Sequence, residues 1–120
     1  MLPPNQLLLA RIAISAVWFY QGFWCKVLGR AARHFRVVES APVFNSRSAR
    51  QFVVALGWFE TFLGFWVLSG AFSRSAATVE IALLVVMNTG GLLWARSIIP
   101  DPAGMVFQNF ALAVLIWICR

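Results

Sequence analysis

Arg11, Lys26, Glu60, Glu80, Asn88, Gln108 and Asn109 all lie within otherwise apolar runs of this 120-residue chain. Ionisable groups at membrane depth are costly, so each is a functional candidate by default. On the first run Arg11, Ser15, Trp18, Gly22, Lys26 and Gly29 recur every three or four residues and so share one helical face. On the second, Gly57, Glu60 and Gly64 share a face. On the third, Glu80, Leu84, Asn88, Gly91 and Ala95 do, and Gln108 and Asn109 lie about a turn into the fourth. A mid-depth carboxylate near an ammonium and several amides could hold the polar head of a quinone or lipid, or carry a proton. The same groups could also serve as glue between helices, at roughly 0.6–2 kcal/mol each.

Depth limits which of them can meet. At a rise of about 1.5 Å per residue, Arg11 lies roughly 9 Å from the middle of its run, on the N-terminal side. Glu80 opens the third run on that same side, so an Arg11–Glu80 ion pair is expected. Glu60 sits near mid-depth and could accept from Lys26, Gln21, Asn88 or Gln108. Lys26 lies toward the other side, and its stem can reach back. The expected polar cluster is therefore Glu60, Asn88, Gln108 and Asn109, with Lys26 at its mouth.

The elements that must position this cluster are helices. Four apolar runs, about residues 7–28, 52–69, 76–94 and 104–119, approach the ~20 residues that a spanning helix needs. Backbone groups must be satisfied internally in lipid, and the runs lack the alternation of a β-barrel. The predicted fold is all-α: one domain over residues 1–120, a bundle of four antiparallel transmembrane helices. Pro3-Pro4-Asn5 opens the first span and Gly70 ends the second. Ser75 is the expected N-cap of the third. Pro100 ends the third, and Asp101-Pro102 supplies the cap and first-turn proline of the fourth. The longer first connection is expected to hold a short interfacial helix from Arg30 to Val38, ended by Pro42. Phe35 and Val38 would face lipid, with Arg33, His34 and Arg36 toward water.

Composition agrees. Hydrophobic residues make up 61% of the chain, aromatic residues 15% and charged residues 12%. That is about half the usual charged share, and one soluble core of this size could not bury so much apolar surface. A soluble enzyme, a disordered tail and a small secreted module are thereby disfavoured. The net charge of +6 is not read as nucleic-acid binding, because six of the ten basic residues fall between Lys26 and Arg50. Basic residues beside spans mark the cytoplasmic side. Lys26, Arg30, Arg33, Arg36, Arg47, Arg50 and Arg96 on one side, against Arg11, Arg74 and Arg120 on the other, put the first loop in the cytoplasm and both termini outside. Nothing at the N-terminus reads as a cleaved signal, so the first span is read as retained.

No cysteine or histidine cluster has metal-ligand spacing, and no metal site is assigned. Cys25 and Cys119 are expected about a bilayer apart, ~30 Å, too far for a disulfide, and are read as small apolar fillers. Trp24 and Trp94 near span ends read as interface anchors. Trp18, Trp58 and Trp66 read as packing or lipid-facing. Gly57, Gly64, Gly90 and Gly91 would let helices approach closely.

In order and spacing, the chain resembles the DoxX-like family of small four-helix bacterial membrane proteins. The resemblance rests on Arg11 and Gly22-Phe23-Trp24-Cys25-Lys26, then Gly57-Trp58-Phe59-Glu60 and Gly64. It continues through Asn88-Thr89-Gly90-Gly91 with Trp94, then Ile99-Pro100-Asp101-Pro102-Ala103-Gly104-Met105 and Gln108-Asn109. It implies a place in the bacterial cytoplasmic membrane and a link to membrane redox complexes. The expected function is that of a non-catalytic accessory subunit of a larger redox or energy-transducing complex, with lipid and other membrane subunits as partners. The alternative is binding of a quinone or lipid head at Lys26, Glu60, Asn88, Gln108 and Asn109. A small transporter ranks behind both. No catalytic residue and no cofactor of its own is assigned.

Overall fold

Apolar runs punctuated by caps become helices, and the structure, a computed structural model, describes residues 2–30 and 32–120. Helix α1 covers Pro4–Phe19 and continues as a π-helical segment over Tyr20–Val27. After it come α2 (Ala32–Glu39), α3 (Ser46–Ser69), α4 (Ser73–Trp94) and α5 (Pro102–Ile118). No strand occurs among the described residues. Three segments are long and apolar enough to cross a membrane: Pro4–Val27, Ser46–Ser69 and Ser73–Trp94. The fourth, Pro102–Ile118, is apolar but has 17 residues.

The helix ends follow local chemistry. Asn45 and Ser48 form a reciprocal capping box, Asn45 Oδ1 accepting from Ser48 N at 2.8 Å. This cap starts α3 at Ser46, six residues before the expected Phe52, because the polar stretch Ser46–Gln51 continues the helix beyond its apolar part. Gly70 ends α3 in the left-handed region (φ 74°), where a side chain would be strained. Asp101 caps α5, Oδ1 accepting from Gly104 N at 3.0 Å, with Pro102 at the first turn. The expected Ser75 cap is corrected: α4 already begins at Ser73, after Phe72 in the left-handed region.

The expected helix from Arg30 to Val38 includes residue 31, which lies outside the described residues. Its α2 portion ends at Glu39, before Pro42. Its orientation also differs from expectation. Val38 is buried with Ala49 and Val53 of α3, and Phe35 and Phe44 pack against them. Arg50 lies over the Phe35 ring, 5.0 Å from its centroid. The early start of α3 supplies this partner surface, so the apolar face of α2 is covered by protein.

The segments pair as two hairpins. The first span packs along α3, α4 packs on α5, and the two pairs meet along a looser seam. At the end holding the start of α1, the seam is closed by Ile14, Trp18, Leu63, Val67, Ala76, Ala77, Ile116 and Cys119. Toward the α2 end it opens. Outward side chains such as Phe62, Phe65, Val86, Leu93, Phe107 and Phe110 are more than half exposed. An apolar belt of this extent suits lipid and would be a liability in water.

Candidate functional site

In the open seam lies a cavity of about 400 Å³, a size typical of small-molecule sites. Its floor is apolar, formed by Val17, Leu83, Leu84, Met87 and Leu112 beside Trp18. Its upper wall is polar. Gln21, Lys26 and Glu60 come from the first hairpin, Asn88, Gln108 and Asn109 from the second, and Arg33, His34 and Asp101 stand around the α2 end. All five residues of the sequence-derived cluster therefore line one space.

Lys26 and Glu60 form its charged centre. Lys26 Nζ donates to Glu60 Oε2 at 2.9 Å and to the Gln21 carbonyl at 3.3 Å. Both side chains are nearly sealed from solvent, with 5% and 4% exposure. This is the one ion pair among the described residues. An ammonium has three donors and a carboxylate several acceptor positions, so each has capacity left for a ligand. The pair exists because the first span and α3 approach at Gly22 and Gly57. A Cβ on Gly22 would stand 2.6 Å from the Gly57 carbonyl oxygen and 2.8 Å from Glu60 Cβ. The π-helical turns of Tyr20–Val27 keep Gly22, Cys25 and Lys26 together on the buried side. Such wide turns are frequent at functional sites.

Across the seam Asn88 Nδ2 donates to the Leu84 carbonyl at 2.7 Å, and Asn88 Oδ1 accepts from Asn109 Nδ2 at 2.9 Å. This bond joins α4 to α5 and leaves the Asn109 carbonyl as an acceptor. Gln108 is exposed beside it. A matched cation and anion plus donor-acceptor amides suit a neutral head with several oxygens better than a bare ion.

The expected Arg11–Glu80 ion pair is not formed. Glu80 instead accepts from Trp18 Nε1 at 2.6 Å. Arg11 and Glu80 line the same small cavity at the opposite end, but the Arg11 guanidinium packs beside Gly70, 2.8 Å from where its Cβ would be. Cys119 lines that cavity too, whereas Cys25 adjoins Lys26, and both cysteines are free and buried. Trp24 and Trp94 are about half exposed. Among the described residues no group of His, Cys, Asp and Glu could hold a metal.

Sequence reasoning placed Arg33 and His34 toward water; Arg33 is exposed as expected, whereas His34 is partly buried, and both line the cavity. The missed signal was that an amphipathic helix between two spans can fold back over them. Burial pushes the His34 imidazole down to about 4, and the nearby Lys26 and Arg33 charges act in the same direction. Between about pH 6.5 and 4 the unfolded chain binds a proton that folded His34 refuses, so stability falls as the pH drops through that range. Unfolding midpoints at pH 7 and pH 5 should differ less in His34→Gln than in the wild type. An equal difference in both would remove His34 as the cause.

The chain matches the DoxX-like family over residues 15–117. No curated protein and no solved structure matches it.

Proposed function

This chain belongs to the DoxX-like family, and on that premise we propose that it holds the polar head of a quinone or lipid in the seam between its two hairpins. In this reading it is a small multi-pass protein of the bacterial cytoplasmic membrane, serving a larger redox or energy-transducing complex without catalysis of its own. The observation that carries the reading is the convergence of Lys26, Glu60, Asn88, Gln108 and Asn109 on one cavity of about 400 Å³. The apolar floor would take the ring or first methylenes, and the charged centre and amides would take the oxygens.

The 17 residues of α5 match the short end of the spanning range, about 17–25 residues, and α5 returns along α4. This supports a fourth crossing and antiparallel topology. The basic residues around α2 support a cytoplasmic first loop, with both termini outside. The broad apolar exterior fits lipid and leaves room for membrane subunits.

Mild-detergent purification from the native membrane, with mass spectrometry of co-eluting protein and extracted small molecules, tests this directly. A stoichiometric quinone or lipid is expected with the wild type and should be lost with Asn109→Leu, which removes the amide and keeps the bulk. Redox subunits in the same peak would support the accessory role. A solitary protein with no bound amphiphile would sink both parts of the reading.

A further inference from the structure

The large cavity does not run through the bundle. At the opposite end lies a second cavity of about 20 Å³, lined in part by Arg11, Ser73, Glu80, Cys119 and Arg120. It has room for a single water. Within the buried core that separates the two spaces, one hydrogen-bonded pair reaches from one to the other. Trp18 lines the large cavity, Glu80 lines the small one, and Trp18 Nε1 donates to Glu80 Oε1 at 2.6 Å. Each residue is 3% exposed. One turn before Trp18, the buried Ser15 hydroxyl has no partner among the described residues. Orphaned hydroxyls are uncommon in folded interiors, and this one lies in the stretch that divides the two cavities.

We propose that Glu80 is a proton-binding site on a path across the bundle, closed at rest by Trp18. Glu80 differs from Glu60 in its partner. Glu60 faces an ammonium, so protonating it would break an ion pair. Glu80 faces an indole, so a proton there neutralises a buried charge and strands no cation. The charged and titratable groups around it are Arg11 from α1 and Cys119 and Arg120 from the end of α5. Helix α3 contributes Trp66, Val67 and Gly70, and α4 adds Ser73. Neither guanidinium pairs with Glu80: Arg11 packs beside Gly70, and Arg120 donates to the Trp117 carbonyl at 2.7 Å.

The indole N–H only donates, so it cannot pass a proton on, and transfer requires Trp18 to turn away. A proton from the aqueous phase at that end is relayed by water in the small cavity, which takes up one proton as it gives one, to the Glu80 carboxylate, which becomes the neutral acid. With Trp18 displaced, the acid gives that proton to water in the large cavity and returns to carboxylate. No electrons move, and the driving force is the electrochemical gradient of protons, membrane potential included. The path does not depend on a quinone or lipid in the cavity, so its success or failure is separate from the binding reading.

The test uses the full chain in sealed, quinone-free liposomes with an internal pH dye and an imposed potassium diffusion potential. Wild type should acidify the lumen faster than empty liposomes. Trp18→Phe keeps a ring but removes the latch, and should run about tenfold faster than wild type, the factor that losing one hydrogen bond to a carboxylate implies. Glu80→Gln should return to the empty-liposome rate. Helical circular dichroism confirms that each variant is folded. Flux in Glu80→Gln equal to that of wild type would overturn the proposal, as would wild type and folded Trp18→Phe both at background. Should Trp18→Phe fail to fold, infrared spectroscopy decides. A deuterium-sensitive carboxylic acid band that titrates in wild type and is missing in Glu80→Gln supports the site, and a wild type without the band overturns it.

Discussion

Lys26→Met is expected to destabilise the folded bundle by about 3–5 kcal/mol, the usual cost of leaving one member of a buried ion pair alone. The magnitude follows from the sealing of the pair, 2.9 Å apart with about 5% exposure on either side. No other cation stands within ion-pair distance of Glu60 among the described residues, so the carboxylate would be left without compensation. Lys26→Met/Glu60→Leu should recover most of the loss, since removing both charges often leaves stability unchanged or raises it by about 1–4 kcal/mol. Equilibrium unfolding in mixed micelles measures both variants. A single-variant loss below about 1 kcal/mol would mean that Glu60 finds water or another partner. The double variant has a second use. A bundle that is stable yet carries no extracted amphiphile would assign the pair to binding rather than to holding the helices.

Lys26 and Glu60 were legible because each interrupts an apolar run, and interruptions at membrane depth need partners. Their depths also follow from residue counts, since the rise of a helix is fixed. Rotation about the helix axis does not follow from counting. Arg11 and Glu80 sit at a common depth, yet Glu80 faces Trp18, and Arg11 packs beside Gly70. Azimuth also hides the π-helical stretch, for nothing in Tyr20–Val27 distinguishes it from an ordinary helix by composition. The α2 orientation was lost for another reason. Hydropathy ends the second span near Phe52, whereas the Asn45 capping box carries the helix six residues further. That extension adds Ala49 and Arg50 to the surface on which Phe35 and Val38 pack, so a boundary error became an error about who covers whom.

The glycines separate legible pattern from geometry in a way that can be measured. Gly57 and Gly90 both read as points of close helix approach, but only one is. A Cβ on Gly57 would stand 2.7 Å from the Gly22 carbonyl oxygen, 2.7 Å from Lys26 Cβ and 2.9 Å from Val27 Cγ2. Two of these three neighbours, the carbonyl oxygen and Lys26 Cβ, are backbone or sit directly on it, so the first span itself must move. Gly57→Ala should therefore cost about 1–3 kcal/mol as overpacking. It should also pull Lys26 away from Glu60, and so lose bound amphiphile as well as stability. At Gly90 the nearest atoms to a new Cβ are at 3.8 and 3.9 Å, both on the Trp94 ring. Gly90→Ala meets ordinary contact there and gains helix propensity of up to about 1 kcal/mol, so its melting temperature should match or exceed wild type. Gly22→Ala presses on the same contact from the other side. Its cost combined with Gly57→Ala should be less than the sum, because once the helices have parted the second methyl meets little. Equal losses at Gly57 and Gly90 would show that the seam, rather than the Gly22–Gly57 approach, holds the first hairpin together.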